Sequence, residues 1–139
     1  MGLIEVLVAI AILAIVLVAV VPAFVYYLQT NTKTEVRTQA VTLAQEALEH
    51  LRLLDPSTLP TNGSYPPFSD YSKTKSCDEK PSEDEYCQVA RNGRTYTVRI
   101  IFCPEGSSLC GPHARHVRVE VDQGGKEIYA VETVFTKLR

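Results

Sequence analysis

The stretch from Leu3 to Phe24 reads LIEVLVAIAILAIVLVAVVPAF. Glu5 is its only charged residue, Val6 to Val21 contains nothing but Val, Ile, Leu and Ala, and the next charge is Lys33. A helix rises about 1.5 Å per residue and the hydrocarbon core of a bilayer is about 30 Å thick, so a run of roughly 18 apolar residues or more spans it. The apolar core of a secretory signal is shorter, about 7–15 residues, and ends at a small-residue cleavage site. Here the run is longer and passes directly into an amphipathic pattern, which marks it as a retained segment.

Two residues interrupt the apolar run. An ionised carboxylate in hydrocarbon costs at least a few kcal/mol unless it meets a cation, so Glu5 needs a partner. Its own first turn offers the free terminal amine and a helix-dipole contribution of about 0.3–1 kcal/mol, whereas the terminal ammonium of a neighbouring copy would serve better. Copies staggered along an axis could each supply an amine to the next Glu5. Pro22 removes one helical hydrogen bond and crowds the carbonyl one turn back, so a kink or local melting is expected near Leu17 and Val18.

Met1-Gly2-Leu3-Ile4-Glu5-Val6-Leu7-Val8-Ala9 resembles the start of a mature type IV pilin or pseudopilin, with Glu5 and Pro22 at that family's own positions. The resemblance is specific over about 25 residues and only architectural beyond them. It implies processing by a prepilin peptidase, N-methylation at Met1, pairing of Glu5 with a terminal amine during assembly, and the pilus assembly machinery as a partner. Gly2 stands where Thr or Ser is commoner and Met1 where Phe is commoner. The family's short basic leader does not precede Met1, which leaves a processed chain or an added initiator methionine.

Beyond the anchor, the 139-residue chain has room for one small soluble domain. We divide it into an apolar assembly helix, 1–28, and a globular domain, 29–139, made of an amphipathic helix (29–54), a connection (55–85) and an antiparallel sheet (86–136). In the amphipathic part Val36, Ala40, Leu43, Ala44, Ala47, Leu48, Leu51 and Leu54 recur at three- and four-residue spacing. No Gly or Pro interrupts it until Asp55-Pro56, so one helix of about 54 residues is expected, with two helices joined at Asn31-Thr32 as the alternative. The connection is polar, and Pro56, Pro60, Pro66, Pro67 and Pro81 forbid regular strands through most of it.

The remainder reads as two hairpins. The first joins Tyr86–Ala90 to Thr95–Phe102 across Asn92-Gly93, which places Cys87, Val89, Tyr96, Val98, Ile100 and Phe102 on one inner face. The second joins His116–Val121 to Glu127–Thr136 across Gly124-Gly125, with Val117, Val119 and Val121 facing inward beside Ile128 and Ala130. The expected fold is therefore α+β: a long N-terminal helix whose second half covers a four-stranded antiparallel sheet, the layout of the pilin family.

Cys77, Cys87, Cys103 and Cys110 all lie beyond the anchor, and an even count in a small exported domain suggests two disulfides. The first hairpin's register sets Cys87 on the order of 17 Å from Cys103, too far to bridge. Of the three connectivities the pattern favours Cys77–Cys87 with Cys103–Cys110. Nine, fifteen and six residues separate successive cysteines, so the close pairs of a zinc site are missing. No cofactor is implied. Typical pilins enclose a segment near the C-terminus in one disulfide, but 29 residues follow Cys110, so that receptor-binding loop is not carried over.

No nucleophile, metalloprotease or phosphate-loop motif is present, and the chain reads as a non-enzyme. A net charge of −2 argues against wholesale nucleic-acid binding. His113, Arg115, His116, Arg118 and Arg99 form at most a modest basic patch, which could make a weak contact with DNA phosphates. Asn62-Gly63-Ser64 fits the glycosylation acceptor pattern at Asn62. Phe24, Tyr26 and Tyr27 read as an interfacial aromatic band.

Together these features point to a structural pilus subunit, held in the bacterial inner membrane and then polymerised with identical copies into a cell-surface filament. A minor pilin or secretion pseudopilin, and a monomeric signal-anchored envelope protein, are the alternatives.

Overall fold

A computed structural model describes residues 2–73, 76, 77 and 85–137. Met1, and the part of the connection that holds Pro81, lie outside the described residues. One helix, α1 (Leu3–Arg52), is followed by strands β1 (Ser64–Tyr65), β2 (Gln88–Arg91), β3 (Arg94–Phe102), β4 (Ala114–Gln123) and β5 (Lys126–Thr136). The chain forms two compact units, Met1–Val36 and Arg37–Arg139, and α1 contributes to both. There is no break at Asn31-Thr32. Thr30, Thr32 and Thr34 donate their hydroxyls to the carbonyls of Tyr26, Leu28 and Thr30, each at 3.0 Å, so polar side chains with poor helix propensity satisfy themselves inside the helix.

In the second unit, Ala40, Leu43, Ala44, Ala47 and Leu51 form the buried stripe of α1. Alanines at three of these five positions let the helix backbone approach the sheet closely. Two polar contacts fix the seat: the Tyr96 hydroxyl donates to Gln39 Oε1 at 2.5 Å, and Arg91 Nη2 meets Glu46 Oε2 at 2.6 Å. The helix ends at Arg52, two residues short of the expected end, and a turn leads to Asp55-Pro56. There the Asp55 carboxylate accepts from the backbone N–H of Ser57 at 2.9 Å and from Lys137 Nζ at 2.6 Å, tying the end of α1 to the end of β5. The Lys137 hydrogen bond, then those from Ser57, hold the Asp55 carboxyl well below the ordinary value of 3.8.

The sheet is antiparallel with the order β1-β3-β4-β5, and β2 also pairs with β3. It has five strands rather than the expected four. The additional strand, β1, lies in the connection and pairs Ser64 with Ile101 and Tyr65 with Ile100. Its two residues escape the proline restriction by sitting just before Pro66-Pro67, and the Ser64 hydroxyl donates to the Cys77 carbonyl at 2.7 Å while Cys77 N–H returns to the Ser64 carbonyl at 2.8 Å. Since β4 occupies the other edge of β3, β1 and β2 line the same edge at different heights.

The first hairpin turns at Asn92-Gly93, with φ of 48° and 73°, the left-handed pair that a two-residue turn requires. Val89 pairs with Tyr96, and Tyr96, Val98, Ile100 and Phe102 are fully buried. Cys87 shares that burial from a short 3-10 turn, Glu85–Cys87, rather than from the strand. The second hairpin turns at Gly124-Gly125, φ 59° and 77°. Its register then departs from simple alternation, because a bulge between Val121 and Asp122 shifts the pairing: Asp122 faces Glu127, but Val121 faces Tyr129 and Val119 faces Val131. One extra residue on β5 moves every later side chain to the opposite face. Tyr129, Val131 and Thr133 therefore share the inner face with Val121, Val119 and Val117, Ile128 is the unpaired extra residue, and Ala130, opposite Glu120, lies on the other face.

Candidate functional site

The first unit presents an apolar helical surface. Every side chain from Leu3 to Leu28 is exposed, including Leu13 at 58% and Val18 at 76%, and this is the one helix among the described residues long and apolar enough to cross a membrane. Glu5 occupies the first turn, with its N–H bonded to the Gly2 carbonyl at 3.0 Å. The placement of the Met1 amine lies outside the described residues, so its pairing with Glu5 carries no geometry. Residues 17–22 are helical, so the local melting expected around Leu17 and Val18 does not occur in the single chain. Pro22 still deprives one carbonyl of its donor at a point where the helix can yield.

The second unit carries the disulfides. Cys77 pairs with Cys87, Cα atoms 6.5 Å apart, and Cys103 with Cys110, 5.9 Å apart. The first clamps the connection to the start of β2. The second closes the Pro104–Leu109 loop between β3 and β4. Asn62 is exposed, but the Ser64 hydroxyl of its acceptor tripeptide is committed to the Cys77 carbonyl, so the acceptor pattern is not free in the folded chain.

Arg99, Arg115, His116 and Arg118 are engaged with partners rather than gathered into a patch, and His113 is exposed in the turn before β4. Arg115 is buried, donating from Nε to the Leu59 carbonyl at 3.3 Å and from Nη1 to the carbonyls of Gly111 and Ala114. On the face of the sheet opposite the helix, Arg99 contacts Glu120 at 2.8 Å and Asp122 at 3.5 Å, and Arg118 contacts Glu120 at 2.7 Å and Glu132 at 2.9 Å. Cross-strand pairing creates this ladder, because Arg99 lies directly opposite Glu120 and Arg118 opposite Glu132. Burial pushes the Asp122 carboxyl up, Arg99 pulls it down, and Glu120 and Glu127 push it up further. His116 Nδ1 lies 2.8 Å from Ser107 Oγ and its Nε2 lies 3.4 Å from Glu132. A phosphate would have to displace carboxylates to reach either guanidinium of the ladder.

One feature escaped sequence reasoning. A cleft of about 490 Å³ opens beside the end of α1, lined by His50, Leu54, Leu59, Phe68, Asp70 and Tyr71 among others. His50 stands edge-on to Phe68 and Tyr71, with ring centroids 6.0 and 6.4 Å away, and Tyr71 packs on Tyr65 and Phe102. Burial raises the Tyr71 pKa, keeping the phenol protonated, and neither its hydroxyl nor His50 Nδ1 has a hydrogen-bond partner among the described residues. The three-residue spacing of Tyr65, Phe68 and Tyr71 was the available signal, masked by the surrounding prolines and serines. Among the described residues, no group of three or more His, Cys, Asp or Glu side chains is placed to hold a metal. No family model, curated protein or solved structure matches the chain.

Proposed function

We propose that the chain is a structural subunit of a type IV pilus or a closely related filament, which rests in a membrane through its apolar helical segment and polymerises through the same surface. The observation that carries this reading is the complete exposure of Leu3 to Leu28 in a chain whose second unit buries its apolar residues well. Such a surface needs a nonaqueous surrounding, and lipid or neighbouring copies both supply one. Ala9, Ala11, Ala14 and Ala19 punctuate it with small side chains that permit close helix approach. Glu5 distinguishes assembly from mere anchoring: a carboxylate in the first turn of a spanning helix is a cost to a monomer and a register device between copies.

The test is Glu5→Val in the producing cell. The expected outcome is a variant that remains in the membrane fraction at normal abundance and is missing from filaments sheared off the surface. Filaments of normal yield built from the variant would overturn the pairing of Glu5 with a neighbouring amine. Intact mass of the sheared wild-type subunit adds a second reading: a dominant species methylated at Met1 supports a major subunit, and a species confined to membranes supports a priming or secretion subunit.

A further inference from the structure

The two disulfides stand in different surroundings. Cys77 and Cys87 are 6% and 0% exposed, and Cys77 is fastened on both sides by backbone and hydroxyl bonds to Ser64. Cys103 and Cys110 are only half-buried, and Glu105, Gly106, Ser108 and Leu109 between them are exposed. Cys103 also has φ of 48°, a left-handed conformation that a residue with a side chain adopts at a cost. Few bonds hold the loop itself: Ser107 N–H to the Pro104 carbonyl at 3.0 Å, Leu109 N–H to Ser107 Oγ at 3.3 Å, and Ser107 Oγ to His116 Nδ1.

Thiol–disulfide exchange requires a thiolate to approach one sulfur, and it is favoured where opening releases strain and the sulfurs can be reached. We propose that Cys103–Cys110 is a site of thiol exchange whose partner is a low-molecular-weight thiol, while Cys77–Cys87 is inert under the same conditions. In the first step the incoming thiolate forms a bond to the Sγ of one cysteine. The Cys103–Cys110 bond breaks, its electron pair stays on the other Sγ, and that thiolate takes a proton from water. A second thiol attacks the mixed disulfide, leaving both cysteines as thiols and the two small thiols joined, a transfer of two electrons in all.

The stems of the loop are anchored independently of the disulfide. Phe102 pairs with Val117, Cys103 N–H donates to the His116 carbonyl at 2.8 Å, and Gly111 N–H donates to the Ala114 carbonyl at 3.0 Å while Gly111 receives Arg115. Opening therefore frees Pro104 to Leu109 and lets Cys103 leave its left-handed conformation without unpairing β3 from β4. The result is a surface loop with two states set by the thiol environment.

The experiment treats the full chain in detergent micelles with graded, limiting glutathione, quenches with acid, alkylates the free thiols and locates the label by peptide mass. Label and glutathione adduct at Cys103 and Cys110 should build up at least about tenfold faster than label at Cys77 and Cys87, with the sheet's circular dichroism unchanged. Equal rates, faster labelling at Cys77 and Cys87, or loss of the sheet signal in step with labelling would overturn the proposal. The Cys103→Ala/Cys110→Ala double variant supplies the second measurement. Unchanged slow labelling of its Cys77 and Cys87 supports a local site, and labelling accelerated to the rate of the wild-type loop shows that global opening, not the loop, governs reactivity.

Discussion

Leu13 and Leu43 sit in the same helix, 58% and 1% exposed. The first belongs to the stretch from Leu3 to Leu28, in which Glu5 is the only charge and every side chain is exposed. The second belongs to a one-sided stripe seated on a sheet. Both stretches are helical, so the contrast shows that periodicity of apolar residues, rather than their number, tells whether a helix finds its partner inside its own chain. A uniformly apolar helix must look outside.

Substitution sharpens that contrast. Leu43→Ala removes a fully buried side chain from the seat and is expected to cost about 2–5 kcal/mol, read as a lower denaturation midpoint. Leu13→Ala is expected to change that midpoint by less than about 0.5 kcal/mol, because nothing in the chain packs on it. Equal losses from both would break the division into two units. Next in size, Cys77→Ser with Cys87→Ser should cost about 2–3 kcal/mol from the entropy of the unfolded chain, measurable in the same unfolding experiment.

The bulge in the second hairpin predicts a smaller, directional difference. Val131→Lys places a cation on the inner face and should lose about 1–2 kcal/mol, while Ala130→Lys, opposite Glu120, should stay within about 0.5 kcal/mol of the parent. The reverse order would restore the simple alternation without a bulge. Smallest is Lys137→Ala. Because Lys137 holds the Asp55 carboxyl below its ordinary value, the contribution is present above that value, 3.8, and is lost as the pH falls through the lowered one. The variant should therefore be slightly less stable than the parent near neutrality and converge with it in acid. It should also lose its difference in high salt, since the pair is exposed.

What could be read beforehand follows from how local each signal is. The helix and both turns were legible because alternation, the Asn92-Gly93 and Gly124-Gly125 pairs, and Asp55-Pro56 each act within a few residues. The position of the cysteines against the first hairpin constrained the bridges in the same way. Strand β1 was not legible, since two residues hold their place only through Ser64, Cys77 and the edge of β3. Nor was the bulge, because Glu127-Ile128 carries no mark of it and an unbroken register fits the pattern equally well. At the site, the exposed apolar helix was plain in the sequence. The cleft was not, for its rings come from the end of α1 and from a proline-rich connection that share no periodicity. The basic residues misled for the opposite reason: spacing brought Arg99 and Arg118 into view, and the register supplied the carboxylates that occupy them.

The clamp between Cys77 and Cys87 has an evolutionary consequence. It holds the two ends of the intervening segment 6.5 Å apart at the Cα atoms, whatever the length of chain between them. Cys77 is hydrogen-bonded in turn to Ser64 of β1 and Cys87 leads into β2, so one covalent bond ties together the two short strands that share an edge of β3. A lineage that lost either cysteine would have to hold those strands by backbone pairing alone, so the two cysteines are expected to be kept or lost together.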